Sequence, residues 1–165
     1  MSRRVLVVGL RMTGLAVARA LIDRSDAVTV VEERPGQPGY ADRADAVRAA
    51  GARLVESPAE ADWPGLVASV DLVVPSPGVA PGHPVLRAAA AAGVPVRGDV
   101  DLAFEAATVP VVAVTGTNGK TTVTTLIAAM LEASGRRAPA GTCPLPPSSP
   151  SRTSFSACAW RPRSA

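Results

Sequence analysis

The chain has 165 residues, of which 47% are hydrophobic and only 3% aromatic, and its 17 basic and 14 acidic side chains give a formal net charge of +3. This excess comes from Arg152, Arg161 and Arg163 in the acid-free segment 141–165, so the balanced remainder offers no basic surface for nucleic acid. No apolar run approaches the ~20 residues that cross a bilayer, and we expect a cytoplasmic protein without membrane partners.

Short β-branched runs alternate with alanine-rich stretches along the first two thirds of the chain. The predicted strands are 5–8, 27–31, 53–55, 71–74 and 94–96. The predicted helices are 15–24, 41–50, 58–68 and 84–92. Alternation this regular indicates an α/β fold, with residues 1–107 forming a Rossmann-like, doubly wound domain that has a parallel sheet and helices on both faces.

Residues 108–140 are predicted to begin a second domain. An apolar strand at 109–114 leads through the glycine-rich loop 116–119 into a helix at 121–133, for which Gly135 is a suitable C-cap. Strand, glycine loop and helix in this order are typical of the start of a P-loop ATPase domain.

The segment 141–165 differs in character from the rest of the chain. It contains six Ser and five Pro and shows neither helical nor strand periodicity, so we expect disorder. A basic interaction tail is the less favoured alternative, since its three charges are sparse. Because motif, periodicity and acidic residues end together, we also expect that a frameshift near codon 140 gave the segment an out-of-frame origin, which the other two reading frames of the gene would test.

The loop Thr115-Gly-Thr-Asn-Gly-Lys-Thr-Thr122 holds the only lysine and the only asparagine of the chain. Backbone N–H groups of such a loop turn toward phosphate oxygens, and the following helix adds the positive end of its dipole. Lys120 is the candidate catalytic residue at the β- and γ-phosphates, and Thr121 is the candidate Mg²⁺ ligand. Val114 replaces the first glycine of the strict Walker pattern, and a glycine turn with a solvated lysine is the alternative. The candidate ATP-binding residues are Gly116, Thr117, Asn118, Gly119, Lys120, Thr121 and Thr122.

A second glycine loop, Gly9-Leu-Arg-Met-Thr-Gly14, follows the first strand, and two acids, Glu32 and Glu33, end the second strand. This is the layout of a dinucleotide fingerprint, but Arg11 occupies the position of the middle glycine, which argues against the usual NAD pose. Arg11 could neutralise a diphosphate or obstruct it, and the residues leave both interpretations open.

The motifs together resemble the Mur ligase family. Residues 114–122 resemble the ATP loop of that family. The chain is similar to the D-glutamate-adding branch of the family in three further segments: 7–14, 75–79 with His83-Pro84, and 96–102. Folylpolyglutamate synthases lack such a leading domain, and the L-alanine-adding ligases, which are the other family alternative, usually carry His at position 118.

The resemblance implies an ATP- and Mg²⁺-dependent ligase of peptidoglycan synthesis that joins UDP-N-acetylmuramoyl-L-alanine to D-glutamate through an acyl phosphate. It implies a monomer in which Gly78 closes the substrate pocket. It places Met12 and Thr13 at the diphosphate and Glu32, Glu33 and Arg34 near the uracil and ribose, although the family usually has Asp-Thr-Arg at 32–34.

Family ligases are longer and contain a carbamylated lysine that this chain lacks, so we expect the chain alone to be inactive. A non-catalytic nucleotide-binding fragment and an NAD-dependent oxidoreductase are the alternatives. His83, the only histidine, precedes Pro84 at a predicted helix start and is expected to be structural. Asp99 is expected to be the N-cap of the helix that includes Phe104. The alternative is that Asp99 and Asp101 are Mg²⁺ ligands.

Overall fold

The computed structural model describes residues 2–107, 110–136, 140–143 and 155–159, the last two ranges through their backbone alone. The chain divides into two compact units, Met1–Asp99 and Val100–Ala165. Among the helices in the described part, none is long and apolar enough to cross a membrane.

The first unit is built on a four-stranded parallel sheet in the order β3-β2-β1-β4. Its strands are β1 (Arg4–Val8), β2 (Ala27–Glu32), β3 (Arg53–Glu56) and β4 (Leu72–Pro75). Its helices are α1 (Met12–Asp23), α2 (Tyr40–Ala49), a 3₁₀ turn (Glu60–Asp62), α3 (Trp63–Ala68) and α4 (Pro84–Ala92). The predicted parallel α/β architecture is confirmed.

The sheet is covered on both faces, which explains why its central strands read as continuous apolar runs. Successive side chains point to opposite faces, so Leu6 and Val8 lie on one face of β1 and Val5 and Val7 on the other. All four are at most 1% exposed. Helices α3 and α4 pack on the Leu6 face, whereas Val17 of α1 lies beside Val7. The buried cluster on the Leu6 face comprises Leu6, Val8, Val31, Trp63, Val67, Val70, Val73, Val85 and Ala89.

Two predicted elements of this unit differ from the structure for reasons that involve proline. The predicted helix 58–68 is interrupted, and α3 starts at Trp63, because Pro64 has no N–H and fits only the first turn of a helix. The predicted strand 94–96 is reduced to a single parallel bridge between Val73 and Val96. Pro95 contributes only its carbonyl, which accepts the Val73 N–H at 3.0 Å.

The second unit contains a strand, a loop and a helix in the predicted order. Helix α5 (Asp99–Ala106) starts at Asp99 itself rather than after it. Its first residue closes the first unit and the others belong to the second, whereas the sequence predicted all of them in the domain 1–107. The second unit also contains strand β5 (Val111–Val114) and helix α6 (Lys120–Ala133). Gly135 follows α6 in a left-handed conformation, with its N–H on the Glu132 carbonyl at 2.9 Å. The predicted glycine C-cap is thereby confirmed. Residues 108 and 109, included in the predicted strand and domain start, lie outside the described residues.

The segment predicted to be disordered contains strand structure in its described parts. Strands β6 (Ala140–Cys143) and β7 (Phe155–Ala159) form an antiparallel sheet with β5 in the order β5-β7-β6. An edge strand such as β5 presents a row of unpaired backbone groups, and pairing with β7 satisfies them without any side-chain periodicity. The rest of that segment, 144–154 and 160–165, lies outside the described residues.

Candidate nucleotide-binding site

The carboxyl ends of β1, β2 and β4 meet at one edge of the parallel sheet of the first unit. Parallel sheets bind ligands at this edge, where neighbouring strands are connected in opposite directions. Strand β1 lies between β2 and β4, so the loop 9–11 occupies that position. A shallow depression beside it is lined by Thr13, Gly14 and Ser76 among others.

The two glycines of this loop allow it to pack against the start of α1. Gly9 has a φ of 96°, in the left-handed region that favours glycine. A Cβ on Gly14 would lie 1.9 Å from the Gly9 carbonyl oxygen, which no side chain tolerates. The glycine spacing of the sequence therefore reflects close contact between loop and helix.

Glu32 binds the backbone of the neighbouring loops with both of its carboxylate oxygens. Oε2 accepts the Leu10 N–H at 2.7 Å, and Oε1 accepts the Arg34 N–H at 3.0 Å. The carboxylate predicted to stand near uracil and ribose thus joins the loops after β1 and β2. In dinucleotide-binding proteins an acid at this place accepts ribose hydroxyls instead.

Glu33 contacts His83, which belongs to the loop after β4. His83 Nε2 lies 2.9 and 3.0 Å from the two oxygens of Glu33, while His83 Nδ1 accepts the Val85 N–H at 3.2 Å. Since Nδ1 accepts, the proton of the neutral ring is on Nε2 and is donated to Glu33. The ring also meets Trp63 edge to face at 5.2 Å. The structural role expected for His83 at the helix start is confirmed, but its contact with Glu33 had no sequence signal.

The remaining candidate substrate residues of the first unit lie on the same edge. Arg11 is the residue before α1 and has extended backbone (φ −87°), a conformation that does not require glycine. Met12, 75% exposed, and Thr13 form the first turn of α1. Arg34 and Gly78 are exposed in the loops after β2 and β4. The structure therefore brings these residues to the edge where Glu32 and Glu33 lie.

The opposite edge of the sheet holds ion pairs that anchor the starts of strands. Asp71 accepts three hydrogen bonds from Arg4, from its backbone N–H at 2.8 Å and from its guanidinium at 3.2 and 2.6 Å. These bonds lower the pKa of Asp71 to about 2. Asp26 accepts the Arg3 N–H at 3.0 Å. These hydrogen bonds fix the starts of the strands, at the edge of the sheet opposite the glycine loop.

Tyr40 at the start of α2 is linked to the end of β3. Its hydroxyl donates to Glu56, which is also bound by Arg48 at 3.0 Å. Burial and the Glu56 carboxylate raise the pKa of Tyr40 to about 12, because both disfavour the phenolate.

The glycine loop of the second unit, residues 115–119, connects β5 to α6. Gly119 precedes the helix in a left-handed conformation (φ 76°), and no side chain in the described part of the chain caps the first turn. The ammonium of Lys120 folds back onto the loop, where it donates to the carbonyl oxygens of Gly116 at 2.6 Å and Thr117 at 3.4 Å. The ammonium of Lys120 is therefore held against the backbone of the loop.

The threonines that follow Lys120 divide into two kinds. Thr124 and Thr125 donate their hydroxyls to carbonyl oxygens one turn earlier, at 2.8 and 2.9 Å, which is their structural role in α6. Thr121 is exposed on the first turn, next to Lys120. Asn118 and Thr122 are exposed there as well. The predicted residues thus surround the amino end of α6.

This loop fits a phosphate group and offers one ligand for Mg²⁺. The first N–H groups of an α-helix have no partner within the helix. Among the described residues, no side chain caps those of α6, so an anion can bind them beside the ammonium of Lys120. Mg²⁺ in nucleotide sites is held by a few protein oxygens together with phosphates, and the Thr121 hydroxyl is such an oxygen. In the described part of the chain, no three acidic, His or Cys side chains cluster to hold a metal.

Two domain families match the sequence in the order in which the two units occur. The Mur ligase MurD-like N-terminal domain matches residues 3–98, and the Mur ligase middle domain matches residues 114–154. The second match ends within the segment for which we predicted an out-of-frame origin, and that origin stays a prediction.

Curated relatives named UDP-N-acetylmuramoylalanine--D-glutamate ligase are similar to most of the chain. The protein of Thermobifida fusca (strain YX) is 50% identical over 140 residues, which are 83% of this chain and 29% of the relative. Those of Desulfatibacillum aliphaticivorans and Escherichia coli (strain K12) are 43% and 37% identical, each over 134 residues, 81% of this chain and 29% of the relative. The chain thus spans about three tenths of the length of these relatives.

A solved structure shows the same fold at low sequence identity. The UDP-N-acetylmuramate:L-alanyl-gamma-D-glutamyl-meso-diaminopimelate ligase of Neisseria meningitides superposes with a TM-score of 0.53 at 19% identity, over 82% of this chain and 41% of that one. The resemblance read from the glycine loops is confirmed by the domain matches, and the chain belongs to the Mur ligase family, with an N-terminal domain of the MurD-like kind.

Proposed function

We propose that the chain is the nucleotide-binding part of an ATP-dependent ligase of peptidoglycan precursor synthesis, one that joins D-glutamate to UDP-N-acetylmuramoyl-L-alanine. One observation carries the proposal: each unit has a glycine loop that leads from a strand to a helix whose first turn is capped by no side chain of the described residues. Two phosphate-bearing ligands are what such a pair of loops would bind. The names of the similar relatives support the choice of substrates.

In the first unit the UDP end of the substrate would bind at the carboxyl edge of the sheet. Met12 and Thr13, in the uncapped first turn of α1, would face the diphosphate, while Glu33, Arg34 and Gly78 flank the uridine. The usual pose of NAD is disfavoured because Arg11 occupies the position of the middle glycine, where a side chain opposes the close approach of the pyrophosphate to the backbone.

In the second unit the phosphates of ATP would bind at the loop 115–122. Lys120 would exchange the carbonyl oxygens of Gly116 and Thr117 for the β- and γ-phosphates, and Thr121 would hold Mg²⁺. When bound, the ion supplies charge that offsets the negative charge of the γ-phosphate. The carboxylate of the substrate would attack that phosphorus, ADP would leave, and the amine of D-glutamate would then displace phosphate from the acyl phosphate.

Binding measurements on the full 165-residue chain test the two halves separately. We expect calorimetric titration to show binding of UDP and of ATP with Mg²⁺, and Lys120→Ala to lose ATP affinity by about tenfold or more while UDP affinity is kept. Glu132→Gln, which changes charge near the far end of α6, is the matched control and should bind both ligands like the wild type. Unchanged ATP affinity in Lys120→Ala would remove the support for the ATP half.

The chain alone is expected to bind these ligands without turnover, because it spans about three tenths of its relatives. The measurement is phosphate release in the presence of ATP, Mg²⁺, UDP-N-acetylmuramoyl-L-alanine and D-glutamate. Sustained release would contradict the expectation of inactivity and would show that residues 1–165 suffice.

A further inference from the structure

The peptide groups on either side of Leu10, in the glycine loop of the first unit, are held by side chains from three other elements. The Leu10 N–H is donated to Glu32 at 2.7 Å, and the Leu10 carbonyl oxygen accepts the Nε–H of Arg43 at 2.7 Å. The preceding carbonyl, that of Gly9, accepts the Ser76 hydroxyl at 3.3 Å. Two consecutive peptide planes are therefore fixed in orientation.

Arg43 reaches the loop from the first turns of α2, and the chain leaves room for it. Its second bond runs from a terminal nitrogen to the Pro38 carbonyl oxygen at 3.2 Å. A Cβ on Gly39, which is left-handed with a φ of 69°, would lie 2.9 Å from the other terminal nitrogen. Arg43 is partly buried. Its bonds to two backbone carbonyls, rather than to a carboxylate, indicate that it orients the chain.

Fixing the Leu10 carbonyl also fixes the N–H of Arg11. The described peptides contain no cis bond, and in a trans peptide the C=O and the next N–H point in opposite directions. The Arg11 N–H consequently points away from Arg43. Within the described residues, the N–H groups of Arg11, Met12 and Thr13 have no acceptor. These are the donors nearest to the predicted diphosphate.

We propose that Arg43 is a positioning residue of the diphosphate site, which directs the Arg11 N–H and the first turn of α1 toward the ligand by holding the Leu10 carbonyl. The inference rests on the proposed function of the first unit. Arg43 acts through the backbone and does not itself contact the ligand. No sequence motif marks it, since its partner Leu10 is 33 residues away.

A pair of variants of similar length separates the hydrogen bond from the rest of the side chain. In Arg43→Gln an N–H donor stays at the position of Nε, whereas Arg43→Met has the same reach and no donor. In calorimetric titrations of the full chain with UDP, Arg43→Met should bind about tenfold more weakly than wild type, and Arg43→Gln should recover most of the loss. Titration with ATP and Mg²⁺ should be unaffected, because that loop lies in the other unit.

Two further variants control for charge and for general effects on α2. Arg48→Met removes an exposed arginine of the same helix that binds Glu56, and it should leave UDP affinity unchanged. Arg43→Lys keeps the charge but carries its donor one bond further out, so it should bind UDP more weakly than Arg43→Gln. A stronger UDP affinity for Arg43→Lys than for Arg43→Gln would overturn the inference, and this comparison decides the matter even if Arg43→Met does not fold.

The outcomes separate the inference from the function on which it rests. If the wild type does not bind UDP, the proposed function of the first unit and the role of Arg43 both fail. If the wild type binds UDP and a folded Arg43→Met binds it within twofold of the wild type, only the role of Arg43 is overturned.

Discussion

Replacing Gly14 by alanine tests the close packing of the glycine loop on α1. The new Cβ would be 1.9 Å from the carbonyl oxygen of Gly9, and the two atoms must separate by about 1.1 Å to reach the 3.0 Å below which real Cβ contacts do not occur. The obstacle is backbone, so either the loop or the helix has to move. Gly65, the third residue of α3 as Gly14 is of α1, has no atom within 4 Å of its Cβ position and is the matched control.

The magnitude follows from two opposing terms. Alanine is favoured over glycine within a helix by up to ~1 kcal/mol, and at Gly65 nothing opposes this gain. At Gly14 the same gain is opposed by overpacking, which costs ~1–3 kcal/mol and more where backbone must shift. We expect Gly65→Ala to raise the free energy of unfolding by about 0.5–1 kcal/mol and Gly14→Ala to lower it by about 2 kcal/mol.

Urea and thermal unfolding followed by circular dichroism measure both variants in the full chain. A loss of about 2 kcal/mol corresponds to a fall in Tm of roughly 10 °C for a unit of this size. Because the loop would be displaced, Gly14→Ala should also lose UDP affinity while Gly65→Ala retains it. The reasoning would be refuted by equal stability changes in the two variants, or by a Gly14→Ala protein that is as stable as the wild type.

Two further predictions concern protonation. Tyr40 is the single tyrosine, and its pKa of about 12 lies above the ordinary 10.0, so its contribution to stability is complete below pH 10 and is lost as the pH rises from 10 to 12. Tyrosinate absorbance of the folded chain should follow the raised value, Tyr40→Phe should abolish the signal, and a midpoint near 10 would contradict the Glu56 contact. Asp71 has a pKa of about 2, below the ordinary 3.8, so the stability from its pairing with Arg4 is present above that ordinary value and is lost as the pH falls toward 2. Carboxyl NMR titration should show the low value in the wild type and a return toward 3.8 in Arg4→Gln; an unaltered titration in the variant would assign the shift to another cause.

The architecture of the first unit could be predicted because its signals are local. A buried parallel strand such as β1 is a continuous apolar run over residues 5–8, and the glycines of the two loops mark the turns between strand and helix. The errors arose where proline altered a short element, as at Pro64 and Pro95. At each of these the apolar pattern was present, but a backbone donor was missing.

The interactions within the candidate site could not be predicted in the same way. Glu32 is the last residue of β2, as predicted, and Glu33 directly follows the strand. Their partners Leu10 and His83 lie 22 and 50 residues away. Such pairs leave no periodicity or motif, since they are created when the sheet brings the ends of its strands together. The same holds for Arg43, whose bond to the Leu10 carbonyl only the folded chain reveals.

The hydrogen bonds of His83 have a consequence for the chemical reactivity of the chain. An imidazole acts as a nucleophile or accepts a proton through the lone pair of its unprotonated nitrogen, and in His83 that lone pair is directed at the Val85 N–H. The other nitrogen is engaged with Glu33. Both ring nitrogens of the only histidine of the chain are thus occupied by hydrogen bonds as long as α4 keeps its first turn.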